Sequence, residues 1–233
     1  ILGILLMERE AAKREMAAAT DSFTESLHNA RQLALKVTAN SIYGLTGART
    51  SKIYYLPVAS STTAVGRELL YFAKDTVERE YPGAVVVYGD TDSIFINFNI
   101  RNADGSRLPV EEERVQAIKL AKNAEELINL LIDSPQEIEY EKSFSPLILI
   151  SKKRYVGVKY LDTPVNGKIT AMGMALRRRD YAPIAKKVLT ELIQSILVDG
   201  DSQRGVNTAN ALLHDVLNGK YDINIAESGR YSI

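Results

Sequence analysis

Ala84-Val85-Val86-Val87-Tyr88, Gly89-Asp90-Thr91-Asp92 and Ser93-Ile94-Phe95-Ile96-Asn97-Phe98 follow one another without a break. The flanking runs are β-branched and aromatic, and the centre is short and polar, so the stretch predicts strand, tight turn, strand: a β-hairpin with two carboxylates at its tip. In extended chain, residues i and i+2 point roughly the same way. Asp90 and Asp92 held that close repel by several kcal/mol at an effective dielectric of about 20 unless something cancels the charge. A divalent cation does so, and hard carboxylate oxygens favour magnesium or manganese. The competing reading is an ordinary Asp-rich turn that needs no ion.

Upstream of the hairpin the pattern is helical. Residues 1–19 contain good helix formers with no Gly or Pro after Gly3. Thr20-Asp21-Ser22 breaks that run and offers N-caps for a second helix from Phe23 to Tyr43, ending at Gly44. A short polar turn between two helices predicts an antiparallel pair. A third helix follows Pro57 and stops at Tyr81-Pro82-Gly83. Downstream, Asn102 to Gly105 reads as a turn and Val110–Ile132 as an amphipathic helix. Residues 137–150 and 154–161 are strand-like around Lys152-Lys153, and Asn166-Gly167 turns into another strand. Helical patterns occupy 182–198 and 203–218. The expected fold class is α+β: antiparallel strands with helical attachments.

Composition excludes several classes. The 233 residues are 45% hydrophobic and 25% charged, as in ordinary globular proteins. There is no cysteine, so disulfides, thiol catalysis and Cys-based zinc sites are out. No apolar run approaches the ~18 residues of a membrane span, and the N-terminus does not read as a signal peptide. The chain opens in mid-pattern on Ile1, which reads as a fragment of something longer. His28 and His214 are isolated, without triad or metal-ligand spacing, and no Walker A or dinucleotide glycine fingerprint occurs. The zero net charge hides an asymmetry: residues 75–150 carry seven basic and fifteen acidic side chains, residues 151–187 ten and two. So basic a stretch fits a polyanion partner, and the acidic block beside it could hold cations.

Three further groups of residues stand out. Lys36, Asn40, Tyr43 and Gly44 are spaced i, i+4, i+7 and i+8, so they share one helical face that offers a cation, an amide, a ring and a gap. Arg9 and Lys13, at i and i+4, share a face of the first helix. Lys152-Lys153-Arg154-Tyr155 joins three cations to an aromatic ring, a combination suited to nucleic-acid backbone.

Together these motifs resemble, in order along most of the chain, the B-family DNA polymerases of the eukaryotic alpha/delta and large-DNA-virus type. Tyr88-Gly89-Asp90-Thr91-Asp92-Ser93 looks like the family's catalytic hairpin. Lys36 to Gly44 matches its fingers-helix pattern Lys-x-x-x-Asn-Ser-x-Tyr-Gly, and Arg9 and Lys13 match the paired basic positions of the opposing helix. Lys152 to Tyr155 looks like its Lys-Lys-x-Tyr motif, and Arg177-Arg178-Arg179-Asp180 like the Arg-Arg-Asp element where the thumb begins. Met172 stands where that pattern has Lys, and Tyr181 where it has Asn.

The resemblance implies fingers over 1–47, an antiparallel-sheet palm over 48–173 and the start of a helical thumb over 174–233. It implies attack of a primer 3′-hydroxyl on the α-phosphate of a dNTP, with Asp90 and Asp92 catalytic and two magnesium ions, manganese being an alternative. Asp92 is the first metal ligand and Asp90 the less direct acidic partner. Arg9, Lys13, Lys36, Asn40 and Tyr43 would bind the nucleotide. Gly44, Lys152, Lys153, Arg154, Tyr155, Arg178 and Arg179 would bind primer-template DNA. A soluble, intracellular protein at sites of DNA replication is implied, with no membrane partner and with a processivity factor left unidentified. The family's other acidic segment, of the form Asp-Phe-x-Ser-Leu-Tyr-Pro-Ser, would lie upstream of Ile1, so the chain by itself is expected to be inactive. The alternatives are a non-catalytic DNA-binding module derived from a polymerase palm, and another palm-fold enzyme such as a nucleotidyl cyclase. The first would not need Asp90, Asp92 and Lys36; the second would lack the fingers face.

Overall fold

The polar break at residues 20–22 separates two helices, α1 (Leu2–Ala17) and α2 (Ser22–Gly47). The Asp21 carboxylate caps α2 by accepting the Thr24 N–H at 2.8 Å. In this computed structural model, which describes residues 1–174, 176 and 181–221, α2 continues through Gly44 instead of stopping there. A mid-helix glycine costs only about 1 kcal/mol, and Gly44 does not take the left-handed conformation that ends a helix. The two helices lie antiparallel. Arg31 of α2 donates to Glu8 at 2.8 Å and to Glu15 at 3.1 Å, both on α1, and Ala12 is wholly buried. His28 Nδ1 stands 3.1 Å from Glu15, a cross-helix neighbour that its sequence position does not reveal.

The chain divides into two compact units, residues 1–72 and 73–233, and the boundary falls within α3 (Leu56–Glu80). The second unit begins with the end of α3 and continues through β1 (Val85–Asp90), β2 (Ser93–Asn97), α4 (Val110–Leu131), β3 (Ser143–Ser151), β4 (Arg154–Tyr160), β5 (Lys168–Met172), α5 (Pro183–Leu197) and α6 (Ser202–Leu217). β1 and β2 form an antiparallel pair, and β3, β4 and β5 form a separate antiparallel sheet in that order. The α+β reading of the sequence holds.

Two cores follow from the strand alternation. Val156, Val158 and Tyr160, on one face of β4, bury with Ala171 of β5 against Ile193 and Leu197 of α5. Ala73, Val77, Ala84, Ala124 and Ile128 form the second core, with Ile94 and Ile96 of β2 packed on it. Leaving Ile94 and Ile96 on that side sends Phe95 to the opposite face, where it meets other rings. Both faces of β2 are covered, which explains its unbroken apolar run.

One expected strand is shorter than its pattern. Residues 137–141 join no ladder; α4 side chains instead bond the backbone of Ile138 and Tyr140. Asn129 brackets Ile138, donating to its carbonyl at 2.9 Å and accepting its N–H at 2.8 Å. Glu125 accepts the Tyr140 N–H at 3.0 Å. Side chains of a helix thus do the work of a neighbouring strand. Among the described residues no helix is long and apolar enough to cross a membrane.

Candidate active site

The acidic tip depends on a β-bulge. Val86 pairs with Ile96, but the next aligned pair is Tyr88 with Phe95, which leaves Val87 as an extra residue. Without it Tyr88 would lie opposite Ile94 and face the helices. The bulge turns Tyr88 and, two residues on, Asp90 to the other face of the hairpin. Glu78 of α3 accepts the Val86 N–H at 2.9 Å, beside the bulge.

At the tip Asp92 N–H donates to the Asp90 carbonyl at 2.6 Å, closing a three-residue turn around Thr91. Thr91 has φ +58°, an outlier for a β-branched residue. A second tip, Lys152-Lys153 between β3 and β4, also places a non-glycine residue in left-handed backbone: Lys153 has φ +59°. Such residues cost of order 1–3 kcal/mol and persist where the surroundings over-determine them. Here the two tips determine each other. Tyr88 Oη accepts the Lys153 N–H at 2.8 Å and donates to Asp90 Oδ2 at 3.3 Å. Lys153 Nζ donates to both Asp90 oxygens, at 2.6 and 2.8 Å, and Thr91 Oγ1 donates to Asp90 Oδ1 at 3.0 Å. Behind the basic tip stands Gly173 at φ +65°, where a Cβ would lie 2.1 Å from the Lys153 carbonyl oxygen. No other residue fits that close approach.

The two carboxylates therefore differ in environment. The Lys153 ammonium, followed by the Thr91 hydroxyl, holds the Asp90 carboxyl below the usual carboxylate range. Reciprocally, the bond to Asp90 raises the Lys153 amine above its ordinary value. Asp92 is exposed and, among the described residues, its carboxylate makes no hydrogen bond or ion pair. The tight turn takes it out of the strand alternation from which the sequence predicts a common direction for the pair. Among the described residues no group of three or more acidic or histidine side chains gathers into a metal site.

Lys152 and Arg154 are exposed and form no ion pair among the described residues. Lys153 is taken up by Asp90. Tyr155 is 7% exposed, its ring enclosed by Tyr88, Phe95 and Phe144. Tyr155 lies on the face of β4 turned toward these rings, opposite the face that carries Val156 and Val158. Arg178 and Arg179 lie outside the described residues. In the first unit Lys13 pairs with Glu10 at 3.0 Å, while the Arg9, Lys36 and Asn40 side chains make no hydrogen bond or ion pair among the described residues. Tyr43 is half-buried, and a Cβ on Gly44 would meet open space. Sequence reasoning missed the Tyr88 hydroxyl, Glu78, Phe95 and Phe144. Their only signal is an aromatic or acidic residue within or beside an apolar run.

The sequence profile described as DNA polymerase family B matches residues 1–228. The chain is 34% identical over 235 residues to the DNA polymerase delta catalytic subunit of Caenorhabditis elegans, covering 97% of this chain and 21% of that protein. It is 35% identical over 230 residues to the DNA polymerase delta catalytic subunit of Schizosaccharomyces pombe, covering 96% and 20%. With the DNA polymerase of Pyramimonas orientalis virus it shares 38% over 213 residues, covering 90% and 17%. The chain thus spans about a fifth of the length of these relatives. The order of its motifs, the paired hairpin tips and the match over nearly its whole length lead to one conclusion: the chain belongs to DNA polymerase family B.

Proposed function

We propose that this chain is the part of a DNA-directed DNA polymerase that carries the fingers (1–47), most of the palm (48–173) and the beginning of the thumb (174–233). The observation that carries the reading is the asymmetry of the acidic tip: Asp90 is neutralised by Lys153 and Asp92 is left open. Magnesium is commonly held through one or two carboxylates together with substrate phosphates, not by an all-protein cage. Asp92, with Asp90 beside it, fits that donor chemistry, and the family resemblance implies two such ions. When bound, a divalent ion would stabilise developing negative charge and make a hydroxyl easier to deprotonate.

The chain's own residues supply binding and orientation. The exposed cation Lys36 and the half-buried Arg9, whose Nε is buried without a partner among the described residues, would with Lys13, Asn40 and Tyr43 bind the triphosphate of an incoming dNTP. Gly44, Lys152 and Arg154, with Arg178 and Arg179, would lie along primer-template DNA. The Lys153–Asp90 pair would hold the two palm tips in register beneath the primer 3′-hydroxyl. That hydroxyl attacks the α-phosphate, the bond to the β-phosphate breaks, and pyrophosphate leaves.

The test is Asp92→Asn in the complete polymerase that carries this segment. Extension should fall at least about tenfold, a barrier increase of ~1.4 kcal/mol or more, with primer-template affinity nearly unchanged. A variant that keeps more than about a tenth of wild-type kcat while still binding DNA would remove Asp92 from the metal-binding role.

A further inference from the structure

The acidic tip and the basic tip belong to sheets that share no ladder, so their alignment rests on side chains. Four rings meet at the junction, one from each of β1, β2, β3 and β4. Phe95 touches the other three, with centroids 5.3 Å from Tyr88, 5.2 Å from Tyr155 and 5.9 Å from Phe144. Tyr155 also meets Tyr88 at 6.2 Å and Phe144 at 5.8 Å. Apart from the stacked Phe95 and Phe144, these pairs are edge-to-face, an arrangement with a preferred geometry, unlike generic apolar packing. Gly157 opens the space that lets Phe144 reach the group: a Cβ there would lie 2.9 Å from the Phe144 ring.

The junction sits directly behind the charged groups. Tyr88 is both a member of the ring group and the acceptor of the Lys153 N–H. Tyr155 lies two residues beyond Lys153 on β4. Asp92 stands two residues beyond Asp90 on the same tip, so a lysine side chain there has two carboxylates to choose between. A small shift of one tip against the other would change the choice.

Resting on the polymerase reading above, we infer that Phe95 is a positioning residue: through Tyr88 and Tyr155 it holds the Lys152-Lys153 turn over Asp90, so that Lys153 neutralises Asp90 and Asp92 stays the open carboxylate. Phe95 touches no substrate in this role. It acts through Lys153, and that gives the role a signature separable from loss of stability.

The experiment uses single-turnover incorporation by the complete polymerase that carries this segment, with Phe95→Leu, Lys153→Ala, the double variant, and Phe95→Tyr to restore the ring. Phe95→Leu should slow incorporation about 10- to 100-fold, with dNTP and primer-template affinities within about twofold of wild type. Phe95→Tyr should recover the rate to within about threefold, and adding Phe95→Leu to Lys153→Ala should cost less than about threefold more. Multiplication of the two single defects, or an unchanged rate in a folded Phe95→Leu variant, overturns the inference. Thermal unfolding checks folding, and Phe144→Leu carries the same cycle from the other sheet if Phe95→Leu does not fold. Asp92→Asn run in parallel separates the two levels. If Asp92→Asn is active, the metal-ligand role of Asp92 falls; if it is inactive while the Phe95 and Lys153 defects multiply, only the positioning role falls.

Discussion

Thr91 stands between Asp90 and Asp92 at φ +58°, so the tip is a tight turn and not the extended strand that would align the two side chains. Asp90 is turned into the Lys153 ammonium, and Asp92 remains exposed. The ion pair has a defined pH window. The Asp90 pKa is lowered, so its contribution to stability is present above the ordinary carboxylate value of about 3.9 and is lost as pH falls through the lowered value. The Lys153 pKa is raised, so its contribution is present below about 10.4 and is lost as pH rises through the raised value. The difference in unfolding midpoint between wild type and Lys153→Met should therefore be flat from about pH 5 to 9 and shrink beyond either end. A difference that changes steeply near pH 7 would mean that some other group titrates against Lys153.

Elements here are set by exceptions to their own regularity. The extra residue Val87 changes the face of everything beyond it in β1, and the side chain of Glu78 holds the adjacent backbone N–H. The bulge is thus what brings Tyr88 and Asp90 round to the basic tip. The segment before β3 is likewise held by helix side chains where a ladder would be expected. Asn129 supplies both bonds to Ile138 from a half-buried position. Asn129→Ala should cost about 2–3 kcal/mol, because it removes two hydrogen bonds and leaves a backbone donor and acceptor without partners. Urea unfolding measures the loss, and a change below about 0.5 kcal/mol would show that water replaces the side chain at no cost.

On the scale of the whole molecule, charge is partitioned along the chain. Ten basic residues against two acidic between 151 and 187 follow an acidic block, and Lys152 and Arg154 present open cations at the tip of the β3–β4 hairpin. Replacing both by Gln in the complete polymerase should weaken primer-template binding equally on all sequences. The slope of log affinity against log salt should fall by roughly 0.7–0.9 for each phosphate that the protein no longer neutralises. A sequence-selective loss, or an unchanged slope, would place those cations away from the DNA backbone. The 233-residue chain expressed alone should not extend a primer with magnesium or manganese, since Asp90 is already paired and no third acidic ligand joins Asp92 among the described residues. Robust extension that Asp92→Asn abolishes would show that these 233 residues hold a complete catalytic set.

The helices, the hairpin and the turns could be read from the amino-acid order, because periodicity, caps and turn residues act over a few positions. The Asp21 cap, the Thr91-Asp92 tip and the turn at Asn166-Gly167 are all of this kind. The motif residues could be read for the same reason: their spacing is local. What the order of residues could not show is which carboxylate is neutralised, since Lys153 and Asp90 are 63 positions apart. It also could not show that Tyr155 is enclosed, that residues 137–141 pair with α4 or that Val87 is extra. Each of these depends on the register in which distant segments meet. A shift of one residue sends a side chain to the opposite face, and only the packed rings and the paired tips of the tertiary structure select one register over the other.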